Sequence, residues 1–590
     1  MSNIQSPVVI EIDYSSRTFD QLKETIAPKH SKLIFDYPTV YIVNDENKNK
    51  YSVYVGETTD IIRRTNQHLS DDIKKDREDW RQFEQSKTSK MLVIGHNHFN
   101  KSLTLDIENR LMLYLSSVEQ VERVQNRRGN PQNQYYTSEE LDEIFSKIWR
   151  TLNRKNHYLF PAESFIRNSA IFKSSPFHKL TDEQVKAKNE ILLKITSVIS
   201  RNETGVLILV KGDAGAGKTV LMSSLIDDLL NSEDTQMIRE NNDINLVVNH
   251  DDQLSVYQEI EKKLEWKSGS NINVVMKPTQ FLNALKKENS DAGIVVVDEG
   301  HLLLTAKNQA YLGGNHLNDL LAKSKVVVLV YDENQIMNKS QIWTDDSFLK
   351  LEHEANLKGN LITLHNQMRI HATKETVEWI RNLVDVGVVN KVPIDNDYDI
   401  RVFDSPEELQ KAIIKKNGDQ NLGISRLTAT YDWEYSSKSK PTDSEYWCVR
   451  IGDWTCPWNR QLAKEKDSKH LSWIEQSQTI HEIGSTFTVQ GFDLNYVGVI
   501  IGPSVKYRDG KIIFDISESK NKSAVQNRKL ESGEMINYGE TLLRNELNVL
   551  LTRGVNGLYV YAVDEELQQA LKNANAVDEE LQQALKNATK

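Results

Sequence analysis

Short apolar, β-branched runs recur along the chain, and each gives way to glycine, acid or amide residues. Residues 206–210, 293–297, 325–330, 496–501 and 557–561 have the near-continuous apolar character of buried strands. Residues 220–226 read as a helix directly after the first of these runs. Strands alternating with helices predict an α/β fold with parallel sheets. Nearer the N-terminus, residues 38–43 and 51–56 flank a polar stretch, 44–50, which predicts a hairpin. Residues 105–115 predict an amphipathic helix that sets Glu108 among apolar positions. Residues 138–149 predict a further helix, stopped by polar residues 153–157 and by Pro161.

The break after residues 206–210 is Gly212-Asp213-Ala214-Gly215-Ala216-Gly217-Lys218-Thr219, which fits G-x-x-x-x-G-K-[ST] at every fixed position. Gly212, Gly215 and Gly217 let backbone N–H groups turn toward one anion, and the following helix adds partial positive charge. Lys218 is then placed to reach β- and γ-phosphates and Thr219 to ligate Mg²⁺. The run 293–297 ends in Asp298-Glu299, two carboxylates at the carboxyl end of a strand, where open α/β sheets bind ligands. Asp298 is a Mg²⁺ ligand candidate and Glu299 a group to orient or deprotonate water. Gln335 follows the third run and is a γ-phosphate sensor candidate. Gln184 precedes the phosphate loop; Thr181 and Gln184 also fit a capping box, so adenine contact and helix capping both stay open. Together these residues predict an ATP and Mg²⁺ site.

Composition narrows the setting. A chain of 590 residues holds several domains. No apolar run approaches a membrane span, and residues 1–5 open no secretory signal. Two cysteines, Cys448 and Cys456, suit a reducing cytoplasm. The net charge of −11 argues against nucleic-acid binding through bulk charge but leaves room for a local basic channel.

The order of further segments adds weight. Arg369 follows a short strand in Leu364-His365-Asn366-Gln367-Met368-Arg369, Gln490-Gly491-Phe492-Asp493 precedes the run 496–501, and Arg553 lies in Leu550-Leu551-Thr552-Arg553-Gly554. In that order, residues 175–565 resemble superfamily 1 helicases, and more closely the Schlafen group 3-like helicase domain. The resemblance implies two RecA-like lobes with ATP in the cleft between them. Gln184, Lys218, Thr219, Asp298, Glu299 and Gln335 then come from the first lobe, and Arg369 and Arg553 from the second, onto the γ-phosphate. Gln490 and Gly491 would couple the cleft to a nucleic-acid track. The third motif departs from the family, reading Tyr331-Asp332-Glu333-Asn334-Gln335 without the usual Gly-Asp opening. Tryptophans 433, 447, 454, 458 and 473 mark an insertion in the second lobe, and core packing is favoured over base stacking.

The N-terminal hairpin carries a second resemblance. Thr39-Val40-Tyr41 and Tyr54-Val55-Gly56, with Arg64 and His68 four apart, Glu108, and Asn126 in Val124-Gln125-Asn126-Arg127-Arg128, are similar to the GIY-YIG nuclease family over residues 36–136. Thr39 replaces the first glycine. The resemblance implies one divalent metal, Mg²⁺ or Mn²⁺, on Glu108, charge neutralisation by Arg64, and proton removal by Tyr41 with Tyr54 or His68. Asn126 would brace the site. Arg123, Arg127 and Arg128 are either a phosphate-contacting edge or a solvated run.

The expected organisation is a small α/β GIY-YIG-like nuclease domain (1–136), a helical connector (137–178), a first RecA-like lobe (179–360), a second lobe with the Trp-rich insertion (361–565), and a helical tail (566–590). The tail duplicates the segment that begins at Ala562. The expected activity is ATP-dependent processing of nucleic acid, DNA in particular, coupled to a metal-dependent endonuclease. Defence against foreign DNA is the setting such fusions imply, and a homo-oligomer is compatible with it. Two other readings stay open: an ATP-gated nuclease without unwinding, and an ATPase whose N-terminal domain only docks nucleic acid.

Overall fold

The computed structural model describes residues 4–15, 26–68, 78–125, 135–212, 215–307, 311–343, 346–365, 369–418, 423–464, 471–530 and 532–575. The chain groups into two compact units. One comprises residues 1–188, 219–245 and 255–275, the other 189–218, 246–254 and 276–590.

The first unit contains the strands Val8–Asp13 (β1), Thr39–Asn47 (β2), Lys50–Thr58 (β3), Lys90–Gly95 (β4) and Val121–Val124 (β5). They form a five-stranded mixed sheet in the order β1–β4–β2–β3–β5. β2 and β3 make the predicted hairpin, but their pairing runs from Thr39↔Thr58 to Asn47↔Lys50, beyond the apolar residues. The turn shrinks to Lys48-Asn49, both at positive φ (51° and 62°), the sign pattern of a tight hairpin turn matched to strand twist. Asp45 is buried in the polar part of β2 because the hydroxyls of Ser86 and Thr88 donate to its carboxylate.

Three helices complete the site-bearing part of this unit: Ile61–Gln67 (α1), Glu78–Gln85 (α2) and Lys101–Ser116 (α3). α3 starts where the Asn100 side chain accepts the Leu103 N–H at 2.9 Å. Its burial differs from the amphipathic expectation, since residues on nearly every side are covered. The sheet covers one side, and Leu141–Lys155 (α4) covers another, with Phe145 and Trp149 edge-on to Tyr114 at 4.7 and 4.9 Å. Asp182–Ser200 (α5) leads toward the phosphate loop.

The parallel sheets lie mainly in the second unit, while residues 219–245 and 255–275 of the elements named next belong to the first. Val206–Gly212 (β6) runs into Lys218–Asn231 (α6), and Ile244–Val248 (β7) into Asp251–Lys263 (α7). With Val275–Met276 (β8), Ala292–Asp298 (β9), Ser324–Tyr331 (β10) and Leu361–Leu364 (β11), the strands order as β11–β6–β10–β9–β7–β8. β6 pairs in parallel with both β10 and β11, and β10 with β9, so their carboxyl ends share one edge. A second sheet is parallel throughout. It joins Asp399–Val402 (β12), Arg426–Ala429 (β13), Leu494–Ile501 (β16) and Gly554–Ala562 (β17) in the order β12–β17–β16–β13. Between them in sequence, Cys448–Ile451 (β14) and Trp454–Pro457 (β15) pair as an antiparallel hairpin.

The tryptophan-rich stretch is core. Trp458 and Trp473 are fully buried, and Trp433, Trp447 and Trp454 pack against the cluster around Val449, Cys456 and Ile483. Gly539–Leu551 (α8) precedes β17, and Glu565–Asn575 (α9) buries Leu567 and Leu571. The second copy of the C-terminal repeat lies outside the described residues. Among the described residues no helix is long and apolar enough to cross a membrane.

Candidate active sites

The first candidate site sits on the hairpin. Tyr41 pairs with Gly56 across β2 and β3, which puts Tyr41 and Tyr54 diagonally on one sheet face. Their rings stack with centroids 6.0 Å apart. A Cβ on Gly56 would lie 2.4 Å from the Tyr41 ring, so the closing glycine of the second triplet is the clearance for that ring. α1 is capped by Asp60, which accepts the Arg63 N–H. Arg64 and His68 then stand one turn apart, as their spacing predicts.

His68 Nε2 is 2.8 Å from the Tyr41 hydroxyl, and both groups are buried. Trp80, from α2, stacks on the His68 ring at 3.7 Å and 18°. Burial, then the neighbouring Tyr54, pushes the Tyr41 pKa well above that of an ordinary phenol. Burial works against the charge on Arg64, but the Tyr41 and Tyr54 oxygens that it faces hold its pKa up. Glu108 comes from α3, is 5% exposed, and lies near enough for its charge to bear on Tyr41. The structure therefore brings Tyr41, Tyr54, Arg64, His68 and Glu108 together. Asn126, Arg127 and Arg128 lie outside the described residues. Arg123 is ion-paired with Glu265 at 3.2 Å. Thr39, where the family has glycine, is fully buried, and its hydroxyl makes no hydrogen bond among the described residues.

The second candidate site lies at the carboxyl edge of β6, β9 and β10. Gly215 turns at φ 92°, and a Cβ there would meet Arg369 Cβ at 2.5 Å, so that turn demands glycine on two counts. Gly217 is also left-handed, at φ 70°. Lys218 Nζ donates to Gly212 O at 2.5 Å and to Asp332 Oδ2 at 3.2 Å. Asp332 accepts in turn from Gln335 Nε2 at 2.6 Å, and Gln335 Oε1 accepts from Arg553 Nη2 at 2.9 Å. Lys218, Asp332, Gln335 and Arg553 thus form one polar chain. Burial alone would raise the Asp332 pKa, but Lys218 and His301 beside it bring it below the ordinary carboxylate value.

Arg553 is completely buried, with Nε donating to Val549 O at 3.0 Å. Burial and the nearby Arg369 pull its pKa down to about 9, which leaves it charged at neutral pH. Arg369 pairs through Nε with Asp493, while its buried Nη1 has no hydrogen-bond partner among the described residues. Glu299 holds a left-handed backbone (φ 52°), a conformation concentrated at functional sites, and its N–H donates to Asp298 Oδ1 at 3.0 Å. Gln253 Nε2 donates to Asp298 Oδ2 at 2.9 Å, and Gly491 passes close to Gln253 and Glu299. His301 Nε2 lies 3.3 Å from Glu299 Oε2 and 3.2 Å from Gln490 Nε2. Burial lowers its pKa to about 4, so it is neutral.

Gln184 engages Thr181 reciprocally: its Oε1 accepts the Thr181 N–H at 2.9 Å, and its own N–H donates to Thr181 Oγ1 at 3.3 Å. That is the capping box which the sequence allowed. Thr219 follows Lys218 in the first turn of α6, and its carbonyl accepts the Tyr257 hydroxyl at 3.4 Å.

Three neighbours escaped the sequence reading, Trp80, Gln253 and His301, while Asp332 stood in the third motif without a role of its own. His301 had a local signal, two residues after Glu299. The others reach their partners through tertiary packing that no spacing encodes.

Among the described residues, no group of three or more His, Cys, Asp or Glu is arranged to hold a metal by protein ligands alone. Mg²⁺ keeps several waters and takes one or two protein ligands beside phosphate oxygens. The buried carboxylates Glu108 at the first site and Asp298 at the second fit that demand, and Arg369 Nη1, without a partner among the described residues, fits the demand of an anion.

A family model for the Schlafen group 3, DNA/RNA helicase domain matches residues 205–564. The chain belongs to the Schlafen group 3 helicase family. The match spans both parallel sheets of this Schlafen group 3 helicase chain and the whole of its second site apart from Gln184. The GIY-YIG catalytic domain model matches residues 37–116, from the start of β2 through α3. The chain is therefore a GIY-YIG domain followed by a helicase domain. It is also similar to "Uncharacterized protein YPL245W" of Saccharomyces cerevisiae, 32% identical over 427 residues, which cover 66% of this chain and 90% of that protein. Among solved structures it is similar to S. cerevisiae Dbp5 bound to RNA and ADP BeF3, at 12% identity and a TM-score of 0.27, covering 70% of this chain and 90% of that one.

Proposed function

We propose that this chain hydrolyses ATP in its helicase domain and cuts nucleic acid, DNA by preference, with its GIY-YIG domain. The observation that carries the reading is the polar chain from Lys218 through Asp332 and Gln335 to Arg553. It ties the phosphate-loop lysine to an arginine from the far end of the domain, as phosphoryl transfer requires. Lys218 would exchange Asp332 for the β- and γ-phosphates. Arg369, with a guanidinium nitrogen left over, and Arg553 would neutralise charge on the γ-phosphoryl group. Glu299 would orient the attacking water. Thr219 and Asp298 would hold Mg²⁺, which would supply neutralisation of charge on the phosphates. Gln184 would contact adenine only if its amide served that purpose beside the capping box.

At the N-terminal site the buried Tyr41 keeps its phenolic proton at neutral pH. It becomes a base only by handing that proton on, and in the Nδ1–H tautomer of His68 the acceptor Nε2 stands 2.8 Å away. Tyr54 would fix the Tyr41 ring, and Arg64 would face the charge that builds on the scissile phosphate. Glu108 would hold Mg²⁺ or Mn²⁺, whose chemistry when bound is to polarise the phosphodiester and stabilise the leaving oxygen. Asn126 is proposed as the bracing residue on the motif alone. The preference for DNA, a place in defence against foreign DNA and a cytoplasmic site of action rest on the resemblance of the architecture.

The test uses the full chain with plasmid, linear duplex and single-stranded DNA, and RNA of the same sequence. Glu108→Gln should abolish cleavage and leave ATP hydrolysis intact. Lys218→Ala should abolish hydrolysis. Cleavage that persists in Glu108→Gln would reject the N-terminal assignment, and unchanged turnover in Lys218→Ala would reject the other.

A further inference from the structure

α7 lies wholly within the helicase-family span, yet its last residue serves the nuclease domain. Lys263 is 1% exposed. Its Nζ donates to Ser116 O at 3.1 Å and to Val118 O at 2.8 Å. Ser116 is the final residue of α3 and of the GIY-YIG match. Ser116 O is one of the last carbonyls of α3, which have no intrahelical partner and carry the negative end of its dipole, so a buried ammonium fits it in both hydrogen bonding and charge; Val118 lies two residues beyond and also accepts the Val121 N–H. Arg123 and Glu265 add a second tie at the same place, at 3.2 Å.

α3 is the helix that bears Glu108. Its start is fixed by Asn100 and its end by Lys263, so a change in the seat of Lys263 moves the helix that sets the carboxylate. At its other end α7 carries Gln253, whose Nε2 donates to Asp298 Oδ2. The first turn is also held by Asp252, paired with Arg460 at 2.8 Å. A nucleotide-bound Mg²⁺ held by Asp298 would compete for the carboxylate oxygen that accepts from Gln253, one of the contacts at this end of α7.

We propose that Lys263 is a positioning residue of the nuclease supplied by the helicase domain, and that α7 passes the nucleotide state of Asp298 through it to α3 and Glu108. The idea rests on the reading of Glu108 and Asp298 given above. It has two local arrangements to connect, Gln253 held by Asp298 and Gln253 released.

The experiment compares wild type, Lys263→Met and Lys263→Arg as full chains. Hydrogen exchange is followed at the amides of residues 113–118, with and without a non-hydrolysable ATP analogue. In the wild type the analogue should change exchange there by about fivefold, the lower end of ordinary coupling. Lys263→Met should lose that response while still hydrolysing ATP, and Lys263→Arg, which keeps the cation and its donors, should retain part of it. In cleavage assays Lys263→Met should keep its KM for DNA and lose the effect of nucleotide on kcat. An unchanged exchange pattern on adding the analogue to wild type, or the same response in Lys263→Met, overturns the proposal. If Lys263→Met does not fold, wild type and Lys263→Arg decide by exchange alone. If wild type binds the analogue but cuts nothing, the nuclease reading fails while exchange still judges the coupling.

Discussion

Single residues in this protein are set by what packs against them as much as by their own chemistry. Glu546 on α8 shows the point. It is completely buried, its carboxylate accepts the Tyr431 N–H, and burial, with Asp432 nearby, pushes its pKa up to about 8. The native state therefore holds a proton that the unfolded chain releases above the ordinary value of 4.5. A raised folded pKa means stability that is fully present below 4.5 and is lost as pH rises toward about 8. Glu546→Gln keeps the acceptor for Tyr431 and removes the titration. Its urea midpoint should fall less between pH 5 and pH 8 than that of wild type. Parallel declines in both proteins would show that this carboxyl is ionised in the folded state.

At the scale of elements, α3 depends on its ends. Asn100 caps its first turn and also donates to Thr137 Oγ1 at 3.1 Å. Asn100→Ala should destabilise the chain by about 1 kcal/mol, read as a lower urea midpoint at unchanged slope. No change would mean that water replaces the cap. Elements of this kind differ in how openly the sequence announces them. The phosphate loop and the strands around it were legible because glycine, lysine and apolar runs are demanded locally. Tyr41, Tyr54, Arg64 and His68 were legible because strand register and helical spacing converge on one place. The hairpin turn was misjudged because residues 44–47 continue the ladder through backbone pairing and the hydroxyls around Asp45, which hydrophobicity does not report. The burial of α3 on nearly every side was likewise hidden, since the elements that cover it come from distant sequence. Trp80 beside His68 and Gln253 beside Asp298 belong to the same class.

On the scale of the whole molecule, a chain with a net charge of −11 carries two compact units and parallel sheets built around buried cations such as Lys218 and Arg553. A ligand that binds only the folded protein stabilises it by about 2.7 kcal/mol at a hundredfold excess over Kd. A non-hydrolysable ATP analogue with Mg²⁺ should thus raise the melting temperature of wild type and leave that of Lys218→Ala where it was. An equal rise in both would place nucleotide binding elsewhere.

The contact between Lys218 and Asp332 has a consequence of its own. If Lys218 binds phosphate as proposed, the Asp332 carboxylate is a tenant in the seat that the phosphate would take. Occupancy is then an eviction, one anion displaced by another, and the grip on a nucleotide reflects the difference between the two. Through Gln335 the departing carboxylate would also let go of the partner of Arg553, so the proposed phosphate would be felt by that arginine as well.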